Sequence, residues 1–164
     1  MEEQDKVGPA DKMNQVDVWL DEFEQKIGLP KYTDAVNTET EKYLNLSTEE
    51  LERLSPEECD IIGLHLDRLA FAIQRAYNRE VAHLTWATEN LKLYVADKCQ
   101  QYKGSFIHQE LQAIKNDDYA VKLNQMKCFA QQRVDRLSFV GSSLHKRSDK
   151  IFNLKTKRVN YAKG

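Results

Sequence analysis

Residues 55–103 read SPEECDIIGLHLDRLAFAIQRAYNREVAHLTWATENLKLYVADKCQQYK. Apolar side chains recur through this stretch at Ile62, Leu66, Leu69, Ile73, Tyr77, Val81, Leu84, Leu91, Val95 and Tyr102. The steps of three, four and seven trace one face of an α-helix. Ser55-Pro56-Glu57-Glu58 opens it as a capping box, with proline at the first helical position, where its missing N–H costs nothing. No proline follows Pro56, and the first good turn signal is Lys103-Gly104-Ser105. At 1.5 Å per residue the stretch predicts a helix ~70 Å long.

C-terminal to that turn, Leu123, Ala130, Leu137, Leu144 and Ile151 repeat every seven residues, with Met126, Val134, Val140 and Leu154 in adjoining positions. This is coiled-coil-like spacing over about four to five heptads. Two long amphipathic helices, over 55–103 and 106–158, joined by a short turn predict an antiparallel hairpin. Asn116-Asp117-Asp118 leaves the start of the second helix open, since aspartate can break or re-cap it.

N-terminal to Ser55, Val16, Trp19, Leu20, Phe23 and Ile27 form a helical stripe that stops at Gly28-Leu29-Pro30, predicting a short helix over 14–27. Residues 1–13 read as a disordered tail and 29–46 as a linker with a partial turn of helix. Ser47-Thr48-Glu49-Glu50 is a second capping box, opening a short helix over 47–54. The fold class is therefore all-α: a tail at 1–13, an acidic segment at 14–54, and a long helical hairpin over 55–164 with a basic end.

Composition narrows the function classes. The chain is 41% hydrophobic and 30% charged, and its longest clean apolar run is five residues, Leu69 to Ile73, so no membrane span is expected. The acidic start Met1-Glu2-Glu3-Gln4-Asp5 lacks the basic region of a secretory leader. Cys59, Cys99 and Cys128 are odd in number and widely spaced, which fits neither a disulfide framework nor a zinc knuckle. A cytoplasmic location is expected, in the host cytoplasm for a viral protein.

Charge is segregated along the chain. Residues 1–60 hold 6 Lys/Arg against 17 Asp/Glu, and residues 61–164 hold 18 against 9. Each half then calls for an electrostatic partner, either the other half or another molecule.

Catalytic signals are absent from the pattern. His65, His83, His108 and His145 contain no i, i+4 pair and no cysteine at ligand spacing, so no metal is expected. Asp117 and Asp118 are adjacent, hence about 100° apart on a helix, and suit a cap better than a catalytic dyad. There is no phosphate-binding glycine loop and no nucleophile elbow. The expectation is a non-enzyme without cofactors.

Two basic features remain. Lys146, Arg147, Lys150, Lys155, Lys157 and Arg158 crowd the C-terminal end, with Phe152 and Tyr161 among them; these are candidates for phosphate contacts, or an ordinary solvated helix end. On the first long helix, Leu64, Phe71, Ala82, Trp86 and Leu93 form a second apolar face, flanked by Arg68, Arg75 and Arg79. A two-helix hairpin buries one face per helix, so this second face needs the N-terminal helix, another subunit or a ligand. Arginine beside tryptophan suits a single-strand groove or a protein interface, and the pattern favours an interface through Leu64, Arg68, Phe71, Arg75, Trp86 and Leu93 in a self-associating protein.

Trp86 in a long first helix, Ala113-Ile114-Lys115-Asn116-Asp117-Asp118-Tyr119-Ala120 after the turn, Arg133-Val134-Asp135-Arg136-Leu137-Ser138-Phe139-Val140, and the basic end from Ile151 to Arg158 together resemble small helical proteins of tailed phages. More distantly they resemble the UvsY-type recombination mediators, over roughly residues 60–160. That resemblance implies an oligomeric helical protein that binds single-stranded DNA or RNA and works with a recombinase and a single-strand binding protein. The alternative expectation is a protein–protein interaction element, either a virion component or a phage factor that binds a host protein.

Overall fold

A computed structural model of the chain describes residues 8–29 and 38–162. Among the described residues the protein is all-α, with seven helices and no strand: α1 (Pro9–Lys26), α2 (Thr38–Leu44), α3 (Thr48–Arg53), α4 (Pro56–Cys99), α5 (Phe106–Lys115), α6 (Asp118–Leu137) and α7 (Val140–Ala162). None of these helices is long and apolar enough to cross a membrane.

Local hydrogen bonding sets the helix starts. The Ser47 N–H donates to Glu50 Oε2 at 2.8 Å and the Glu50 N–H to Ser47 Oγ at 3.2 Å. Ser55 and Glu58 repeat the exchange at 2.7 and 3.2 Å at the head of α4. Both capping boxes stand where the sequence places them, and the backbone N–H in each holds the Glu50 and Glu58 carboxyls below the usual carboxylate range.

Three boundaries differ from expectation. Gly8-Pro9 does not lie in a tail: Gly8 is the N-cap of α1, its N–H donates to Asp11 Oδ2 at 3.2 Å, and Pro9 is the first helical residue. The tail expected over 1–13 otherwise falls on residues 1–7, outside the described residues. The partial turn expected within 29–46 is α2, and 30–37 lie outside the described residues as well. The second arm, expected as one helix over 106–158, is three. Asp117 breaks it first, because its carboxylate accepts the Ala120 N–H at 3.0 Å and caps α6. Phe139 breaks it again: its φ of 65° is left-handed, a conformation that costs a non-glycine residue roughly 1–2 kcal/mol, and its carbonyl accepts the Ser143 N–H to begin α7.

The chain forms two compact units, Met1–Leu29 with Tyr77–Arg136, and Pro30–Ala76 with Leu137–Gly164, with α4 contributing 56–76 to the second and 77–99 to the first. In the second unit α7 runs antiparallel to α4. Cys59, Ile62, Leu66, Leu69 and Ala70 pack on Leu144 and Ile151, and Tyr43, Leu44, Leu46, Leu51 and Leu54 of the α2–α3 segment close over them. Ser148 donates from its buried hydroxyl to the Gly63 carbonyl at 2.8 Å. A Cβ at Gly63 would stand 2.7 Å from the Phe152 ring, so the close approach of α7 holds only if that ring shifts. In the first unit Leu91, Val95 and Cys99 of α4 pack on Ala113 of α5 and on Ala120 and Leu123 of α6. The seven-residue repeat survives the break at Phe139 as burial: Leu123 and Ala130 are buried in one unit, Leu144 and Ile151 in the other, and Leu137 beside the break is half-buried.

Candidate interaction surfaces

α1 is docked with its charges inward. Asp17, Asp21 and Glu24 follow one another at i, i+4 and i+7, so they line one side of the helix. Arg79 of α4 meets all three: Nη2 pairs with Asp21 and lies 3.0 Å from Glu24 Oε2, and Nη1 lies 3.7 Å from Asp17. His83, one turn on, stands 2.8 Å from Asp17 through Nε2 and 3.5 Å from Glu80 through Nδ1. Arg133 of α6 closes the network on Glu80 at 2.7 Å. Burial opposes the Arg79 charge, and the hydrogen bonds it donates to Glu24 and Asp21 more than offset it, so the guanidinium is held above its ordinary range.

The consequence falls on the apolar side of α1. Glu24 is only 8% exposed, whereas Trp19, Phe23 and Ile27 are 60%, 58% and 55% exposed. Val16 and Leu20 are half-buried. The stripe that predicts the helix is thus turned largely outward.

The six candidate interface residues divide between the units. Leu64, Arg68, Phe71 and Arg75 belong to the α2–α3–α7 unit, and there Leu64 and Arg68 are exposed, Phe71 lies at the border of exposure, and Arg75 is half-buried and engaged. Trp86 and Leu93 belong to the α1 unit. Leu93 is 72% exposed, but Trp86 is half-buried and packs against the Leu91 cluster, so it serves the core of its unit.

The six basic residues also divide, by what each holds. Arg147 donates to the Tyr43 carbonyl in the last turn of α2 at 3.4 Å. Arg158 donates to the Leu51 and Glu52 carbonyls at the end of α3, at 2.8 and 2.7 Å. A helix C-terminus carries unsatisfied carbonyls and partial negative charge, so two arginines of α7 clamp two short helices. Lys155 pairs with Asp60. Lys146, Lys150 and Lys157 are exposed, and their i, i+4, i+11 spacing keeps them within about 40° of one another on α7. Lys146, Arg147 and Lys150 border a cleft of about 510 Å³ whose other walls are Leu51, Ser143, Ile151 and Leu154.

Four further titratable groups, Asp117, Lys98, His65 and His145, have structural partners. Asp117 pairs with Lys98, accepts from Tyr94 Oη at 3.2 Å and caps α6; the Lys98 hydrogen bond and the Ala120 N–H hold its carboxyl below the usual range. Lys98 Nζ in turn sits 4.0 Å from the centre of the Tyr94 ring. His65 is bonded to Thr40 Oγ1 at 2.7 Å, and His145 to Asp67 at 2.6 Å. Cys59 and Cys99 are buried free thiols and Cys128 is exposed. Among the described residues no three His, Cys, Asp or Glu side chains converge as a metal site.

Hydrophobic periodicity passes over two features. The acidic triplet of α1 is visible at i, i+4, i+7 and matches Arg79 and His83 at i, i+4 on α4, a signal that pairs the helices once the two spacings are compared. Phe106, Ile107 and Leu111 on α5, exposed in the structure, carry no signal that separates them from core residues. Compared with known protein families, characterised proteins and solved structures, the chain matches none.

Proposed function

We propose that this chain is a non-enzymatic, self-associating helical protein that works by docking onto other proteins. The observation that carries this reading is the orientation of α1. Part-exposed ion pairs contribute little to stability, typically below about 1 kcal/mol each. Fully burying a large apolar side chain gains about 1.5–3 kcal/mol. A helix that directs Asp17, Asp21 and Glu24 inward and leaves Trp19, Phe23 and Ile27 in water forgoes that apolar stabilisation. A partner covering the stripe recovers it, and an exposed aromatic and aliphatic patch is what interfaces are built on. The partner proposed first is a second copy of the chain.

Light scattering on the full chain tests this. Mass above the monomer that rises with concentration is expected for the wild type, and a monomer of unchanged helicity for the Phe23→Asp, Ile27→Asp double variant. A wild type that stays monomeric at its highest soluble concentration sinks self-association.

A second reading is single-stranded nucleic acid binding, with a recombinase or single-strand binding protein as co-partner, as the resemblance to recombination mediators implies. The exposed stripe Lys146, Lys150 and Lys157 favours it. Three phosphate contacts give a salt slope of about −2 on a single strand, against about −4 if all six basic residues took part. Arg147, Lys155 and Arg158 already hold groups of their own unit, so the shallower slope is expected in a salt titration of oligothymidine binding. No binding at low salt removes this reading.

A further inference from the structure

The cleft beside α7 combines two chemistries. Its cationic border is Lys146, Arg147 and Lys150, its apolar walls are Leu51, Ile151 and Leu154, and among the described residues no carboxylate lines it. Its volume of about 510 Å³ lies in the range of ligand pockets. A nucleic-acid strand would use the cations but not the aliphatic walls, and among the described residues no aromatic ring lines the cleft for a base to stack on. An acidic helix with leucine-type anchors would use both.

The same unit already holds such a segment against α7. α2 and α3 carry Glu39, Glu41, Glu49, Glu50 and Glu52 on the outside. Their Leu44, Leu46, Leu51 and Leu54 pack on the Leu144 and Ile151 core. Arg147 and Arg158 grip the C-terminal carbonyls of both helices. Aliphatic residues inward, glutamates outward and arginine at the helix end is therefore a combination this surface is built to accept. The cleft extends it past Leu51, toward Lys146 and Lys150, which are exposed.

We propose that the α3–α7 cleft is a docking site for an acidic, amphipathic helix of a partner protein, with leucine-like side chains entering between Leu51, Ile151 and Leu154 and its carboxylates meeting Lys146 and Lys150. Helix-in-groove recognition of this kind reads apolar anchors at i, i+3, i+4 and i+7. The site is a different surface from the outward stripe of α1, so its failure and the failure of self-association through α1 read out separately.

The test is fluorescence anisotropy on the full chain with a labelled synthetic helix carrying leucines at i, i+3, i+4 and i+7 among glutamates. Three controls go beside it: the same peptide with lysine for glutamate, the same peptide with alanine for leucine, and oligothymidine. The expected result is salt-sensitive binding of the Glu/Leu peptide and at least about tenfold weaker binding of each control peptide. Lys146→Glu with Lys150→Glu should weaken the Glu/Leu peptide by about tenfold or more. Lys157→Glu, on the same stripe but outside the cleft, should change it less than about twofold. Both variants alter exposed side chains, and unchanged circular dichroism checks their fold. The proposal is overturned if the peptide binds no better than its lysine counterpart, or if Lys157→Glu weakens it as much as the double variant. It is overturned equally if oligothymidine binds and the peptide does not displace it, which would give the lysines to nucleic acid.

Discussion

α1 and α7 both lie along α4, each in its own unit, and they do so in opposite ways. α7 turns Leu144, Ser148 and Ile151 inward and Lys146, Lys150 and Lys157 outward, so the helix obeys its own hydrophobic pattern. α1 turns Asp17, Asp21 and Glu24 inward to Arg79 and His83 and leaves Trp19, Phe23 and Ile27 largely exposed. The difference lies in what α4 offers. Along 59–70 it presents Cys59, Ile62, Leu66, Leu69 and Ala70, and along 79–83 it presents a guanidinium, a carboxylate and an imidazole. A charged surface that must be covered is satisfied by opposite charge, because a buried ion without a partner costs several kcal/mol.

The contrast can be broken most forcefully at α7. Ile151→Ala, which empties a nearly solvent-free position, should cost about 2–5 kcal/mol in urea unfolding. A loss below about 1 kcal/mol would mean that α7 is not held by its apolar face. Arg79→Met comes next. It removes the shared partner of three carboxylates, Glu24 among them nearly buried, and should cost about 1–3 kcal/mol, discounted for the partial exposure of the network. Hydrogen exchange should then show α1 losing protection while α7 keeps it. Equal loss in both helices would show that α1 is not docked by its charges.

Acid should reach the α5–α6 junction with a smaller effect. The Asp117 carboxyl is depressed in the folded state by Lys98 and by the Ala120 N–H. Its contribution is therefore present above the unfolded value near ~3.9 and is lost as pH falls through the lower folded value. Asp117→Ala should cost about 1 kcal/mol at neutral pH, the worth of an N-cap, and should flatten the acid limb of the stability curve. An acid limb unchanged by the substitution would assign the acid sensitivity to other carboxylates. The smallest effect is expected at Phe23→Ser measured on the dissociated monomer at low concentration, within about 0.5 kcal/mol of wild type, because its ring is more than half exposed there. A cost near that of Ile151→Ala would show that the α1 stripe is covered in solution by something other than a dissociable copy.

Much of the fold is legible along the chain. Ser47/Glu50 and Ser55/Glu58 announce two helix starts, Gly104 marks the turn after α4, and the repeat Leu123, Ala130, Leu144, Ile151 names buried positions on the later helices. Two breaks are harder to read. Asp117 is a visible candidate cap whose residue type does not decide between breaking and re-capping the arm, and Phe139 carries no residue-type mark of a left-handed backbone. The candidate site is less legible still. Arg147 and Arg158 look like phosphate ligands beside Lys146 and Lys150, and only their distance from the ends of α2 and α3 separates a clamp from a free cation.

The division follows the range of the forces. Caps, turns and helical periods depend on groups within about seven residues of one another, so Ser55 and Glu58, or Leu144 and Ile151 on one stripe, carry their meaning in the local string. Which face of α1 is buried depends on Arg79, which stands 55 positions from Glu24, and the role of Arg158 depends on Leu51, 107 positions away. Folding brings those residues together, and only there do the carboxylates of α1 outrank its tryptophan.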